Sequence, residues 1–240
     1  AISLNSKGIK VNAIVDIRDA NNSSLTNEVK KIGIKIYNSY TVINTKGYKK
    51  INKITIMKLS KDGKTVTNSR TDIKCDCLGV SGGWTPAVHL FTQSGGKLKF
   101  DDNDNIFIPN KYPSDQLSIG ACNGSLDLED IISSININLK DFLKIDKTNF
   151  ENLKINSSKP TSKKNIWLLP SDKPVAKTKS FVDFQNDATA KDIKLALREG
   201  FRSIEHVKRY TTTGMGTDQG KLGNMNALGI ISDTSSVMMS

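Results

Sequence analysis

Apolar and polar residues alternate across Ile51–Leu59 (INKITIMKL), the period-2 pattern of a strand with one buried face. The KDGK stretch at 61–64 is a hairpin turn signal, and a further strand is predicted over 64–68. Apolar, β-branched runs predict strands at 10–17, 34–37 and 40–44, the first of them parallel. A short helix is expected at 24–33, closed by Gly33, and residues 1–8 read as the tail of a helix ended by Gly8. A return strand is predicted at 73–80, running into Ser81-Gly82-Gly83-Trp84-Thr85-Pro86. Another apolar strand, starting at Leu117, reaches Gly120, Ala121, Cys122, Asn123 and Gly124, and a helical pattern begins near Leu126.

The pattern then changes. Residues 146–180 hold Lys, Ser, Asn and Thr with Pro160, Pro170 and Pro174, which reads as a linker or extended crossing segment. Its apolar patch at 166–169 is expected to dock on a neighbour. Three short helices follow. Thr189 with Asp192 is an acidic capping box ahead of Ile193, Ala196 and Leu197, and Gly200 ends that helix. Ser203 is the predicted cap of the second, and Thr217 of a third running through Met225 and Leu228. The last ten residues add nothing to the reading.

The chain has 240 residues, 37% hydrophobic and 25% charged, which suits one large or two ordinary folded domains. No apolar run approaches the roughly 20 residues of a membrane span, and no basic-then-apolar leader is visible, so no membrane partner is expected. Cys75, Cys77 and Cys122 are too few for a disulfide framework, which favours a reducing, cytoplasmic location. The chain starts at Ala1, on what reads as mid-helix, so a fragment of a longer polypeptide is expected. The net charge is +11, but arginine occurs only at 18, 70, 198, 202 and 209, and aromatics are 6%. Base-reading surfaces use Arg forks and aromatics, so solvated lysines are the better account and no nucleic-acid partner is expected.

Candidate chemistry is thin. Asp16 ends a strand, where an acid either accepts from a ribose or simply exits into a loop. Gly82 and Gly83 fit both close approach to a ligand and a tight turn before proline. The small residues Gly120–Asn123 leave room for a pyrophosphate beside free helix N–H groups, without the full three-glycine fingerprint. The DDNDN stretch at 101–105 lacks the glycine and final Glu of a calcium loop and reads as a solvated turn. Cys75 and Cys77, two apart on a predicted strand, are poor zinc spacing and read as buried thiols. His89 is expected to be packed, and His206 to face solvent or an interface. No nucleophile–base set assembles, so no catalytic residue and no metal ligand is assigned.

Two long stretches carry a resemblance. VSGGWTPAVHLFTQSGGKLKFDD (80–102) and FVDFQNDATAKDIKLALREGFRSIEHVKRYTTTGMGTDQGKLGNMNALGI (181–230) resemble the alpha subunit of heterotetrameric sarcosine oxidases, in the family's order. The resemblance implies an α/β fold: a partial glutathione-reductase-like, two-dinucleotide-binding region, then a small all-α domain similar to bacterioferritin-associated ferredoxin without its cluster. The implied domains are 1–145, a linker over 146–178 and the helical domain 179–240. Within the first, 1–80 would be the second nucleotide unit with its β-meander, and 81–145 the return to the first unit.

The implied activity is oxidation of sarcosine to glycine, with the methylene group passed to tetrahydrofolate or released as formaldehyde and O₂ reduced to H₂O₂. Implied partners are beta, gamma and delta subunits, with FAD and FMN on or shared with them; tetrahydrofolate would bind a downstream domain outside this chain. The resemblance puts NAD at Gly120, Ala121, Asn123, Gly124 and Leu126, with Gly82 and Gly83 supporting the pocket. Cys122 stands where flavin-binding reductases often carry an acid. The iron–sulfur relatives hold their cluster with a C-x-C and a C-x₄-C pair. The matching positions here are Asp183, Gln185, Asp218 and Gly223, so no iron–sulfur cluster is expected. Opine oxidases and hydrogen cyanide synthase are alternatives with similar domains, and a non-catalytic basic binding module is a remote one.

Overall fold

The structure is a computed structural model that describes residues 1–20, 23–113, 115–144 and 166–235. Most of the expected linker, 146–165, and residues 236–240 lie outside the described residues. The chain divides into two compact units: Ala1–Leu78 with Lys164–Met239, and Gly79–Lys163.

The first unit opens with helix α1 (Ile2–Ser6), strand β1 (Ala13–Asp16), helix α2 (Ser24–Lys31) and strand β2 (Lys35–Asn38). β1 and β2 are parallel, with Ala13 opposite Lys35 and Asp16 opposite Asn38, so β1-α2-β2 is a right-sized crossover unit. The Ser23 hydroxyl accepts from the Thr26 N–H at 3.2 Å to start α2, and Lys30 and Lys31 sit at its negative end. Gly33 then turns the chain at φ +81°.

Three antiparallel strands follow: β3 (Tyr40–Gly47), β4 (Ile51–Leu59) and β5 (Val66–Lys74), in the order β3-β4-β5. Ile54, Thr55, Ile56 and Met57 are all buried, so both faces of central β4 are covered. The alternating pattern predicts one wet face; Thr55 is tolerated inside because its hydroxyl donates to Asp72 at 2.6 Å.

The unit is completed by the later part of the chain. A 3-10 turn (Val175–Lys177) leads to strands β8 (Phe181–Asp183) and β9 (Ala188–Thr189) and to helices α5 (Ala190–Arg198), α6 (Ile204–Thr211) and α7 (Asn224–Ser235). Val182, Ala190, Ile193, Ala196, Val207, Ala227, Ile230 and Ile231 form their core. The patch at 166–169 docks as its composition predicts: Trp167 and Leu168 pack on this core. Trp167 lies over Gly229, where a Cβ would sit 2.1 Å from the indole. Ile166 packs against Gly63 of the β4–β5 turn, and Arg70 pairs with Asp172. The second unit holds helix α3 (His89–Gln93), a hairpin of β6 (Lys97–Asp101) and β7 (Ile106–Lys111), a 3-10 turn (Gly120–Asn123) and helix α4 (Leu128–Leu143).

Three expected elements differ. Residues 73–80 are not a separate strand. Ile73 and Lys74 end β5, opposite Ile54 and Lys53, and no strand among the described residues pairs with 75–80. A parallel strand needs neighbours for its backbone groups, and Val80 is left 82% exposed. Residues 117–124 are not a strand either: Gly120 adopts φ +76° and the chain coils into a 3-10 turn closed by Gly124 at φ +89°. Finally, Thr217 does not cap a helix. Its N–H and hydroxyl both donate to Gln185 Oε1, at 2.6 and 2.8 Å, and α7 begins at Asn224.

Candidate functional site

The turn singled out for a nucleotide is built by packing. The Gly124 Cα faces the β7 side chains, where a Cβ would stand 2.8 Å from Ile108 Cγ2 and 3.2 Å from Ile106 Cδ1. Any larger residue would push the turn off the hairpin. Gly120 lies over Ile131 of α4, with 3.5 Å to a Cβ. The Ser125 N–H returns to the Gly120 carbonyl at 3.2 Å, and the Gly124 N–H to Ala121 at 3.2 Å. Tyr112 donates its hydroxyl to Asn123 Oδ1 at 3.1 Å, and the Cys122 thiol donates to the Ile119 carbonyl at 3.1 Å. Ala121 and Leu126 are exposed.

The electrostatics at the adjoining helix oppose an anion. Asp127 caps α4, its carboxylate accepting from the Glu129 N–H at 3.0 Å and the Asp130 N–H at 3.4 Å. Glu129 and Asp130 add two acids in the first turn. The helix N–H groups expected to be free are therefore taken by a carboxylate, and a pyrophosphate on this terminus meets three negative charges. Gly82 and Gly83 lie apart from any such packing: nothing comes within 4 Å of where a Cβ would stand on either, and both are exposed, as is Trp84 at 80%. Five of the seven proposed contacts thus fall within 120–126, while Gly82 and Gly83 are exposed with open space where a Cβ would stand.

The remaining candidates resolve individually. Asp16 is engaged by Arg18, which donates Nε at 3.0 Å and Nη2 at 2.8 Å as well as its backbone N–H at 2.9 Å. Burial opposes ionisation of Asp16, but these bonds outweigh it and hold the carboxyl below its usual range. It braces the strand exit. Cys77 is exposed and Cys75 half-buried, on no strand, in place of the expected buried pair, because the strand that would bury them does not form. His89 is exposed at the start of α3, where packing was expected; it is Phe91, 3% exposed, that turns inward beneath Tyr112. His206 faces solvent on α6. Asp101 ends β6, and residues 102–105 turn between β6 and β7. Among the described residues, no group of three or more His, Cys, Asp or Glu is placed to hold a metal ion.

The four positions aligned with cluster ligands form a polar seam between two loops. Asp183 is 6% exposed and accepts from the N–H groups of Gly214 at 2.7 Å, Gln185 at 2.8 Å and Asn186 at 3.2 Å, and from the Asn186 amide at 3.3 Å. Burial opposes its ionisation, yet the backbone donors, Gly214 foremost, keep its carboxyl below the ordinary range. Gln185 crosses to Thr217 by the two bonds given above. Asp218 accepts from Gly220 N–H at 3.0 Å and Leu222 N–H at 3.3 Å. A Cβ on Gly223 would be 2.6 Å from the Val182 carbonyl, so that position has no room for a side chain. Sequence spacing marks these positions as lacking thiols; that the oxygens of Asp183 and Gln185 bind the two loops together emerges only from the fold.

The mixed α/β fold is shared with the crystal structure of an L-proline dehydrogenase from P. horikoshii, at a TM-score of 0.61 and 17% identity, over 98% of this chain and 47% of that one. The fold is thus one that an oxidoreductase uses. Residues 177–240 match the sarcosine oxidase A3 domain family. The chain is also 32% identical to sarcosine oxidase subunit alpha of Rhizobium meliloti (strain 1021), over 96% of this chain and 22% of that protein. It is 29% identical to the same subunit of Corynebacterium sp. (strain P-1), over 91% and 23%. Over nearly its whole length the chain is similar to sarcosine oxidase alpha subunits, its residues 177–240 match the A3 domain family, and it spans about a fifth of those subunits' length.

Proposed function

We propose that this chain is the nucleotide-region and A3 segment of a sarcosine oxidase alpha subunit, acting as scaffold within a beta, gamma and delta assembly. The assembly oxidises the N-methyl group of sarcosine; O₂ takes the two electrons and becomes H₂O₂. Water then releases glycine and formaldehyde, or the one-carbon unit passes to tetrahydrofolate. FAD and FMN, on or shared with the partner subunits, supply the redox chemistry. The observation that carries this reading is the 32% identity to an alpha subunit across 96% of the chain. No step of the chemistry is assigned to a side chain of this segment.

In the same reading the helical part is a ferredoxin-like domain that works without a cluster. Its support is the donor chemistry: Asp183, Gln185 and Asp218 spend their oxygens on N–H and hydroxyl donors, and Gly223 has no side chain. NAD belongs to the proposal at Gly120, Ala121, Asn123, Gly124 and Leu126, with Gly82 and Gly83 as further contacts. The acids at the start of α4 do not fit its diphosphate, so contact there is limited to the uncharged parts of the molecule.

The test is copurification of the alpha subunit containing this chain with its partners, followed by oxygen uptake on sarcosine. The expected result is sarcosine-dependent O₂ uptake yielding H₂O₂ and glycine, with NAD released on denaturation. Oxidation of an opine, or cyanide release from glycine, with no turnover of sarcosine would move the chain to the opine oxidase or cyanide synthase type. Release of no NAD would remove the nucleotide from the reading.

A further inference from the structure

A cleft of about 470 Å³ opens between the C-terminal ends of α5 and α7, lined by Lys194, Leu197, Arg198, Arg202, Thr234 and Ser235. Lys194 and Arg198 are four apart on α5 and so share a face. Arg202 reaches the same cleft from beyond Gly200, which turns the chain at φ +97°. Among the described residues three cations line it and no carboxylate does. Among the described residues none of the three forms an ion pair.

That arrangement has a cost. Like charges four apart on a helix destabilise it by a few tenths of a kcal/mol. The bland account is that the cations complement the C-terminal end of α7, which has no basic residue in its own last turn. A helix end carries only about half a negative charge. The C-terminal end of α5 adds about as much again, and three full positive charges exceed the roughly one negative charge of the two ends about threefold.

We propose that this cleft binds a phosphate-bearing small molecule. A single carboxylate needs one Arg fork; two forks and an ammonium match a group with about two negative charges and three acceptor oxygens. The concave shape and the apolar floor of Leu197, which packs on the helical core, suit a compact ligand better than an extended acidic chain. The site is independent of the glycine turn at 120–124 and of the sarcosine oxidase reading.

Calorimetric titration of the full chain with inorganic pyrophosphate tests this. The expected result is saturable 1:1 binding that weakens at least tenfold in R198Q/R202Q and severalfold in K194Q, while K221Q, remote from the cleft in sequence, binds as wild type. In wild-type ¹⁵N–¹H spectra, amide signals of 194, 198, 202, 234 and 235 should shift most, which needs no variant to fold. Absence of binding overturns the proposal. So does binding unchanged in R198Q/R202Q, which would make it general attraction to the +11 chain. Equal affinity for pyrophosphate and a poly-glutamate peptide overturns it too, by making the face a protein-docking patch.

Discussion

At the scale of single residues, Asp183 is the most consequential side chain described. A buried carboxylate held by three backbone N–H groups ties loop 183–186 to loop 212–218. Asp183→Asn keeps the size but sets an amide N–H₂ against donors, and should lower stability by roughly 1–3 kcal/mol, read as a fall in Tm. The pH dependence follows from the lowered carboxyl pKa. In the unfolded chain the group titrates near 3.9, so on acidification the unfolded state takes up the proton first. The carboxylate's contribution is fully present above that value and is lost as pH falls through the folded one. Urea melts between pH 6 and 3 should show a shallower acid loss in D183N; a slope equal to wild type would mean that the other depressed acids, Asp192 among them, carry the effect.

At the scale of elements, local chemistry and tertiary packing can be separated. The capping signal at Thr189 held, whereas Ser203 takes the N-cap position of α6 without a side-chain cap bond. The Asp192 carboxylate accepts from the Thr189 N–H at 2.9 Å and its hydroxyl at 2.7 Å, as the Thr-x-x-Asp spacing predicts. Gly8, Gly33 and Gly200 take positive φ just past helix ends. Two readings failed where a distant partner decided the outcome: among the described residues 73–80 had strand composition without a neighbouring strand, and Thr217 had cap chemistry that Gln185 claimed from 32 residues away. Trp167 on Gly229 of α7 gives this scale its prediction. Gly→Ala within a helix gains up to about 1 kcal/mol, but a methyl 2.1 Å from the indole forces the ring out, at roughly 1–3 kcal/mol. Gly229→Ala should therefore lower Tm and red-shift the Trp167 emission. A higher Tm with unchanged emission would mean that the helix gain wins and the ring adapts in place.

At the scale of the whole molecule, the similarity to sarcosine oxidase alpha subunits was readable from two long stretches, 80–102 and 181–230, while the chemistry of the candidate site was not. Glycines at 120 and 124 announced a tight turn, but a sequence does not say whether the space a glycine leaves is filled by a ligand or by Ile108 of its own hairpin. The acids at 127, 129 and 130 were visible and argue against a diphosphate only once the helix is known to start beside them. Among the described residues, no helix is long and apolar enough to cross a membrane. One feature of organisation acts on biosynthesis. Residues 1–78 share a compact unit with the described residues from Ile166 onward, through Ile166 on Gly63 and the Arg70–Asp172 pair. Roughly 85 residues intervene, and at about 5–20 residues per second the β3-β4-β5 sheet waits some 4–17 s for them. Ribosome-stalled chains ending before Ile166 should leave that sheet open to protease, and chains that expose residue 235 beyond the exit tunnel should protect it. Until then, the early sheet is a client for any chaperone at the tunnel mouth.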